Sequence, residues 1–158
     1  MTAGDALRRA ADLAADREAL VEIAPDGSMS LTGADAIDRR WTYRQLLGEA
    51  ERCAHWLLQR FRPGEHICIW APNVPEWVVV QYGAALAGLV LVTANPALRE
   101  AELRHVLTQS GAVALVHVDS FRSYDMTRVA SQVANQVRDV ISLTGFLARL
   151  LDVVVSEP

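Results

Sequence analysis

Between Pro63 and Val116 the chain alternates short apolar runs with helical ones, and Pro and Gly fall where the changes occur. His66–Ala71 reads as a strand. Pro75 stands where a helix begins, Gly88 ends that helix, and Leu89–Thr93 is a second apolar strand. Arg99–Thr108 carries apolar Ala101, Leu103, Val106 and Leu107 at helical spacing, Gly111 suits the left-handed terminating position, and Ala112–Val118 is a further strand. Strands joined through helices cannot pair as hairpins, so the expected fold class is α/β, a partial doubly wound parallel sheet with flanking helices.

The surrounding segments extend this pattern. Asp5–Arg17 reads as a short amphipathic helix and Ala19–Ala24 as a strand, followed by turn chemistry at Pro25-Asp26-Gly27-Ser28 and a polar stretch through Asp38. Thr42 and Gln45 form a capping box for a helix over residues 43–60, with Leu46, Leu47, Ala50, Cys53, Ala54, Leu57 and Leu58 as its stripe. Asp125 caps a helix over 126–138, Val140–Leu143 reads as another strand, and a short apolar helix follows Thr144.

The chain has 158 residues, 51% apolar and 22% charged, which suits a single hydrophobic core. Its net charge of −4 is scattered, and the longest like-charged runs are Arg8-Arg9 and Arg39-Arg40, so no basic face for nucleic acid is expected. Cys53 and Cys68 occupy apolar positions and lack metal-ligand spacing; with charges already at Asp5, Arg8 and Arg9 and no apolar leader, a cytoplasmic setting is expected. Residues 77–98 carry no charge, but Gln81, Tyr82, Asn95 and Pro96 interrupt them, so a buried helix and strand are expected rather than a membrane span. All 15 basic residues are arginine. A phosphate-loop lysine or a Schiff-base lysine is therefore excluded for this chain.

Trp41-Thr42-Tyr43 with Leu46, Pro63-Gly64-Glu65, Pro72-Asn73 with Glu76, Gly88, Asn95-Pro96 and Glu102-Leu103 share their order and spacing with the N-terminal part of AMP-forming acyl-CoA synthetases. Over residues 36–143 the chain resembles a fatty-acid–CoA ligase of the adenylate-forming superfamily. The resemblance implies the first part of the large N-terminal domain. It also implies a family chemistry in which a carboxylate attacks the α-phosphorus of ATP and coenzyme A then displaces AMP, with ATP, Mg and coenzyme A as full-length requirements. The family's Gly-rich phosphate loop and catalytic lysine lie downstream of the matched region. The chain is therefore expected to be truncated before them and inactive alone, with no catalytic, cofactor-binding or metal residue and no cofactor of its own.

No other chemistry emerges from the residues. Gly83 and Gly88 have phosphate-loop spacing, but Leu89-Val90 stands where Lys-Ser/Thr is required, and Pro72 and Pro75 remove amide donors after the first strand. Glu102-x-x-His105 lacks the second copy and extra carboxylates of a di-iron site, so a solvated face is expected. His55, His66 and His117 lack patterned partners. Ser28 follows Gly27 but Ser30 replaces the second glycine of a nucleophile elbow, leaving a turn serine. Asn73 and Glu76 read as caps of the following helix. With Thr42, Gly88, Asn95 and Pro96 they form the architectural part of the resemblance. Trp77, Val78 and Tyr82 are candidates for lining an acyl pocket, against a plain core reading.

Three regions are expected: residues 1–35 as an N-terminal helix, strand and loop, 36–143 as the ligase-like α/β segment, and 144–158 as a divergent tail. Two alternatives remain open at this point. One is an interaction module or half of a split ligase, which would self-associate or dock with a complementary chain carrying the ATP site; fatty acid enters as a ligand only through the resemblance. The other is a self-contained flavodoxin-like ligand-binding domain.

Overall fold

The computed structural model describes residues 2–23, 31–32 and 38–153. Helix α1 (Ala3–Ala14) starts at Thr2, whose hydroxyl accepts from the Asp5 amide while the Asp5 carboxylate accepts from the Thr2 amide. Strands β1 (Glu18–Val21) and β2 (Arg40–Thr42) form an antiparallel ribbon, and Thr42 with Gln45 closes the expected capping box of α2 (Tyr43–Leu58).

The chain then enters β3 (His66–Trp70), α3 (Pro75–Leu86), β4 (Val90–Ala94), α4 (Glu100–Ser110) and β5 (Ala114–His117). A two-residue-per-strand ribbon, β6 (Ser120–Phe121) and β7 (Tyr124–Asp125), precedes α5 (Met126–Val133), a 3₁₀ turn at Ala134–Gln136, β8 (Asp139–Ser142) and α6 (Phe146–Leu150). The turn at Pro25–Ser28, the polar stretch before Asp38 apart from Leu31 and Thr32, the Ser28 and Ser30 reading and the last five residues lie outside the described residues.

The main sheet is parallel, in the order β4-β3-β5-β8. From β3 the chain moves outward through α3 to β4, then crosses back over β3 through α4 to β5. Right-handed crossovers in opposite directions place α3 on one face and α4 and α5 on the other. Helices α1, α2 and α6 join α3, and α4 packs with α5. The fold is thus an α/β arrangement with a parallel sheet between helical layers. The uncharged stretch 77–98 divides into most of α3 and all of β4, and no described helix is long and apolar enough to cross a membrane.

The core runs through Ile67, Cys68, Ile69 and Trp70 of β3, Leu115 and Val116 of β5, and the inner faces of α2, α3 and α5. Close approach of α2 to α3 depends on Gly83: a Cβ there would stand 2.5 Å from Cys53 Sγ. Gly111 ends α4 at φ 63°, as its sequence position predicts. Phe146 and Leu150 of α6 are buried, and Phe146 meets Trp56 of α2 edge-on at 5.4 Å between ring centroids.

Candidate functional site

In open parallel α/β sheets the carboxyl ends of the strands, where the winding reverses, are the usual place for a ligand. Here the reversal falls between β3 and β5. Register aligns Ala94, Trp70, His117 and Ser142 across that edge. Trp70 is fully buried with its indole N–H unpartnered, and it meets Tyr124 of β7 edge-on at 6.2 Å. His117 is buried, with Nδ1 2.8 Å from the Val118 carbonyl.

Asp119 follows β5 and ties the edge together. Its carboxylate accepts from Ser142 Oγ at 2.7 Å and Thr144 Oγ1 at 2.8 Å, and its carbonyl accepts from the amides of Met126 and Thr127. Partial burial pushes the Asp119 carboxyl up, but the hydroxyl donors of Ser142 and Thr144 outweigh it and hold the group below its usual 3.8.

The loop after β3 departs from its expected role. The N-cap of α3 is Val74, which makes no side-chain cap, and Asn73 is exposed. Pro75 starts the helix with its φ preset and one amide fewer to satisfy, so a capping side chain is dispensable. Glu76 lies in the first turn as expected, but it is buried, and its partners come from far away. Its Oε1 accepts from Arg39 Nη1 at 2.7 Å and Thr32 Oγ1 at 2.9 Å. Arg39 also grips both oxygens of Glu22, at 2.6 and 3.1 Å. Burial pulls the Arg39 guanidinium down, yet Glu22 and Glu76 together raise it above its usual value.

Trp77, Val78 and Tyr82 are half-buried on α3 and pack against the core. Gly88 has φ 70° just after α3 ends, where phosphate-loop chemistry has no place. Asn95 turns the chain out of β4: its Oδ1 accepts from the Ala97 amide, and Pro96 fills the turn between them. Glu102 caps α4 by accepting from the Arg99 amide, and Glu102 and His105 are both exposed. Among the described residues no group of three or more His, Cys, Asp or Glu is placed to hold a metal ion. Cys53 and Cys68 are buried free thiols; burial pushes Cys68 up to about 12 and Cys53 higher still.

The strand order and the sheet's reversal define a doubly wound α/β protein of the kind found at the start of adenylate-forming ligases. The N-terminal domain of FACL13 from Mycobacterium tuberculosis superimposes on the whole chain with a TM-score of 0.77 at 24% identity, the chain covering 38% of it. The Mycobacterium tuberculosis fatty acyl CoA synthetase matches 98% of the chain with a TM-score of 0.76 at 29% identity, over 29% of its own length. The chain belongs to the AMP-binding enzyme family, whose model matches residues 7–152.

The human mitochondrial medium-chain acyl-CoA ligase ACSF2 is 32% identical over 139 residues, 87% of this chain and 21% of that protein. Triostin synthetase I of Streptomyces triostinicus is 35% identical over 95 residues, 60% of this chain and 18% of that protein. The chain thus spans about a fifth of these relatives.

Proposed function

We propose that this chain supplies the N-terminal α/β scaffold of a cytoplasmic fatty acyl-CoA ligase, an enzyme that activates a fatty acid through acyl-AMP to acyl-CoA, and that residues 1–158 alone do not catalyse adenylation. The observation that carries this reading is the β4-β3-β5-β8 sheet joined to the family match over residues 7–152. Adenylation needs cationic and amide donors around the leaving pyrophosphate. The 15 basic residues include no lysine, and the loop after β3, Ala71-Pro72-Asn73-Val74-Pro75, has no glycine and two prolines that lack amide donors. ATP, Mg and coenzyme A are the requirements of the complete ligase. Trp77, Val78 and Tyr82, half-buried on α3, supply apolar surface for the acyl chain.

ATP–pyrophosphate exchange on the purified chain with a panel of fatty acids tests this assignment. Background exchange is expected. Fatty-acid-dependent exchange that survives repurification would overturn it.

A second reading, docking with a complementary ligase segment or with another copy, draws support from the outer edge of β8. That edge has no strand partner among the described residues, and a groove runs along it, lined by Trp56, Arg60, Arg149 and residues 139–142. Light scattering after size exclusion separates the cases: a stable monomer at high concentration argues against self-association.

A further inference from the structure

The two rims of the main sheet are built differently. At β8 charged groups stand along the edge: Arg60 Nε lies 3.8 Å from the Asp139 carboxylate, and Arg149 donates to the carbonyls of Ser142 and Thr144. Charges so placed guard an edge against unplanned strand pairing. β4 has no such guard. Its sequence is Val90-Leu91-Val92-Thr93-Ala94, without charge, proline or bulge, and it lies within the uncharged stretch 77–98. Val90 keeps 43% of its exposure, Thr93 is exposed, and no described strand pairs with the outer edge.

The hydrogen bonds of β4 identify its outward groups. The Gly88 carbonyl accepts from the Gly64 amide and the Val90 amide donates to the Glu65 carbonyl, both on the β3 side. Alternation along the strand turns Val92 and Ala94 toward β3 as well, and leaves the amide and carbonyl of Leu91 and of Thr93 pointing outward. These two residues flank Val92 symmetrically. A second β4, antiparallel and related by a two-fold axis at Val92, sets each Leu91 opposite the other copy's Thr93, and each such pair exchanges two hydrogen bonds. An axis at Leu91 would instead oppose Thr93 to Leu89, whose amide already donates to Ala84. An axis at Thr93 would oppose Leu91 to Asn95, whose carbonyl already accepts from Leu98. Only the register centred on Val92 satisfies every outward group.

We propose that β4 is a self-docking edge, through which two copies of this chain join their sheets by antiparallel β4–β4 pairing centred on Val92. The occupant is a second copy because the strand is its own complement, both in its outward hydrogen-bonding groups and in lacking any charge to repel itself. At the axis the two Val92 side chains meet as a non-hydrogen-bonded pair, the closer kind, and Val90 packs opposite Ala94. A strand of 5 residues from each copy buries less than a standard interface of about 1,600 Å², so the dimer is reversible and concentration-dependent. This surface lies at the opposite rim from the β8 groove and is independent of the ligase reading, so either can fail without the other.

Sedimentation equilibrium of the purified chain over a wide concentration range is the first measurement, and a monomer–dimer equilibrium is expected. Thr93→Pro deletes an amide that faces away from β3 and is expected to weaken association roughly tenfold or more. Val140→Lys on β8, folded by circular dichroism, is expected to leave association unchanged. A cysteine pair fixes the register and stands whether or not the proline variant folds. Val92→Cys, whose own copy lies about 4.5 Å away between Cα atoms, is expected to form a covalent dimer on mild oxidation. Val90→Cys is the more exposed position but stands about 13 Å from its own copy, so it is expected to stay uncrosslinked. A monomer at every concentration overturns the proposal, even one whose β4 edge captures a different protein. So does a dimer that folded Thr93→Pro leaves intact or that Val140→Lys dissociates, or crosslinking of Val90→Cys in preference to Val92→Cys.

Discussion

Glu76 Oε1 and Arg39 Nη1 stand 2.7 Å apart although 37 residues separate them in sequence, and Glu76 keeps only 2% of its exposure. The pair pins the β1–β2 ribbon to the first turn of α3. Removing the guanidinium leaves a buried carboxylate without its counter-charge, which typically costs about 3–5 kcal/mol. Arg39→Met is therefore expected to lower unfolding free energy in urea by that order. Glu22→Gln keeps a hydrogen-bonding oxygen and leaves Arg39 its contact with Glu76, so about 1–3 kcal/mol is expected. Equal losses in the two variants would show that the Glu76 pair is not the dominant bond.

Gly83 faces Cys53 with no room for a methyl group. Gly83→Ala gains up to about 1 kcal/mol of helix propensity, yet overpacking between α2 and α3 costs about 1–3 kcal/mol. A net loss in melting temperature is expected. Cys53→Ala removes Sγ from the clash but leaves Cβ 2.7 Å from the added methyl, so partial rescue in a double-mutant cycle is the expected result.

Cys68 and Cys53 are buried with raised thiol pKa values, so neither holds appreciable thiolate near neutrality. Under native conditions at pH 7.5 both are expected to resist an aromatic disulfide reagent, and both to react promptly in denaturant. Fast labelling of a folded sample would contradict the packing of α2 and β3.

Asp119 titrates below its ordinary 3.8 because Ser142 and Thr144 donate to the charged form. Its contribution is thus complete above the unfolded value and is lost as pH falls through the folded one. Asp119 is exposed, so solvent reduces the effect to less than about 1 kcal/mol. Asp119→Asn is expected to lower stability slightly at pH 7 and to flatten the acid limb below about pH 4. A variant whose acid limb matches the parent's would remove Asp119 from that edge's electrostatics.

The crossovers were legible in the sequence because each boundary carries a local signal: Thr42 with Gln45, Pro75, Asn95-Pro96, Gly111 and Asp125 all act on neighbours a few residues away. Glu76 was legible only as a first-turn acid. Its burial depends on Arg39, and no periodicity links residues 37 apart. The β6–β7 ribbon escaped for a different reason. Two residues per strand are too few for alternation to show, and Arg122-Ser123 lacks the Asn-Gly or Gly chemistry by which such turns are recognised.

The β3 strand sits inside the sheet while the strand made next, β4, lies at its rim. A chain emerging from the ribosome can therefore join β3 to β4 by residue 94, yet the other flank of β3 stays bare until residue 117 has been synthesised. During that interval Ile67, Cys68 and Ile69 sit in a half-finished sheet, which makes the nascent segment between β4 and β5 the stage at which a chaperone or a mispairing strand has its best opportunity.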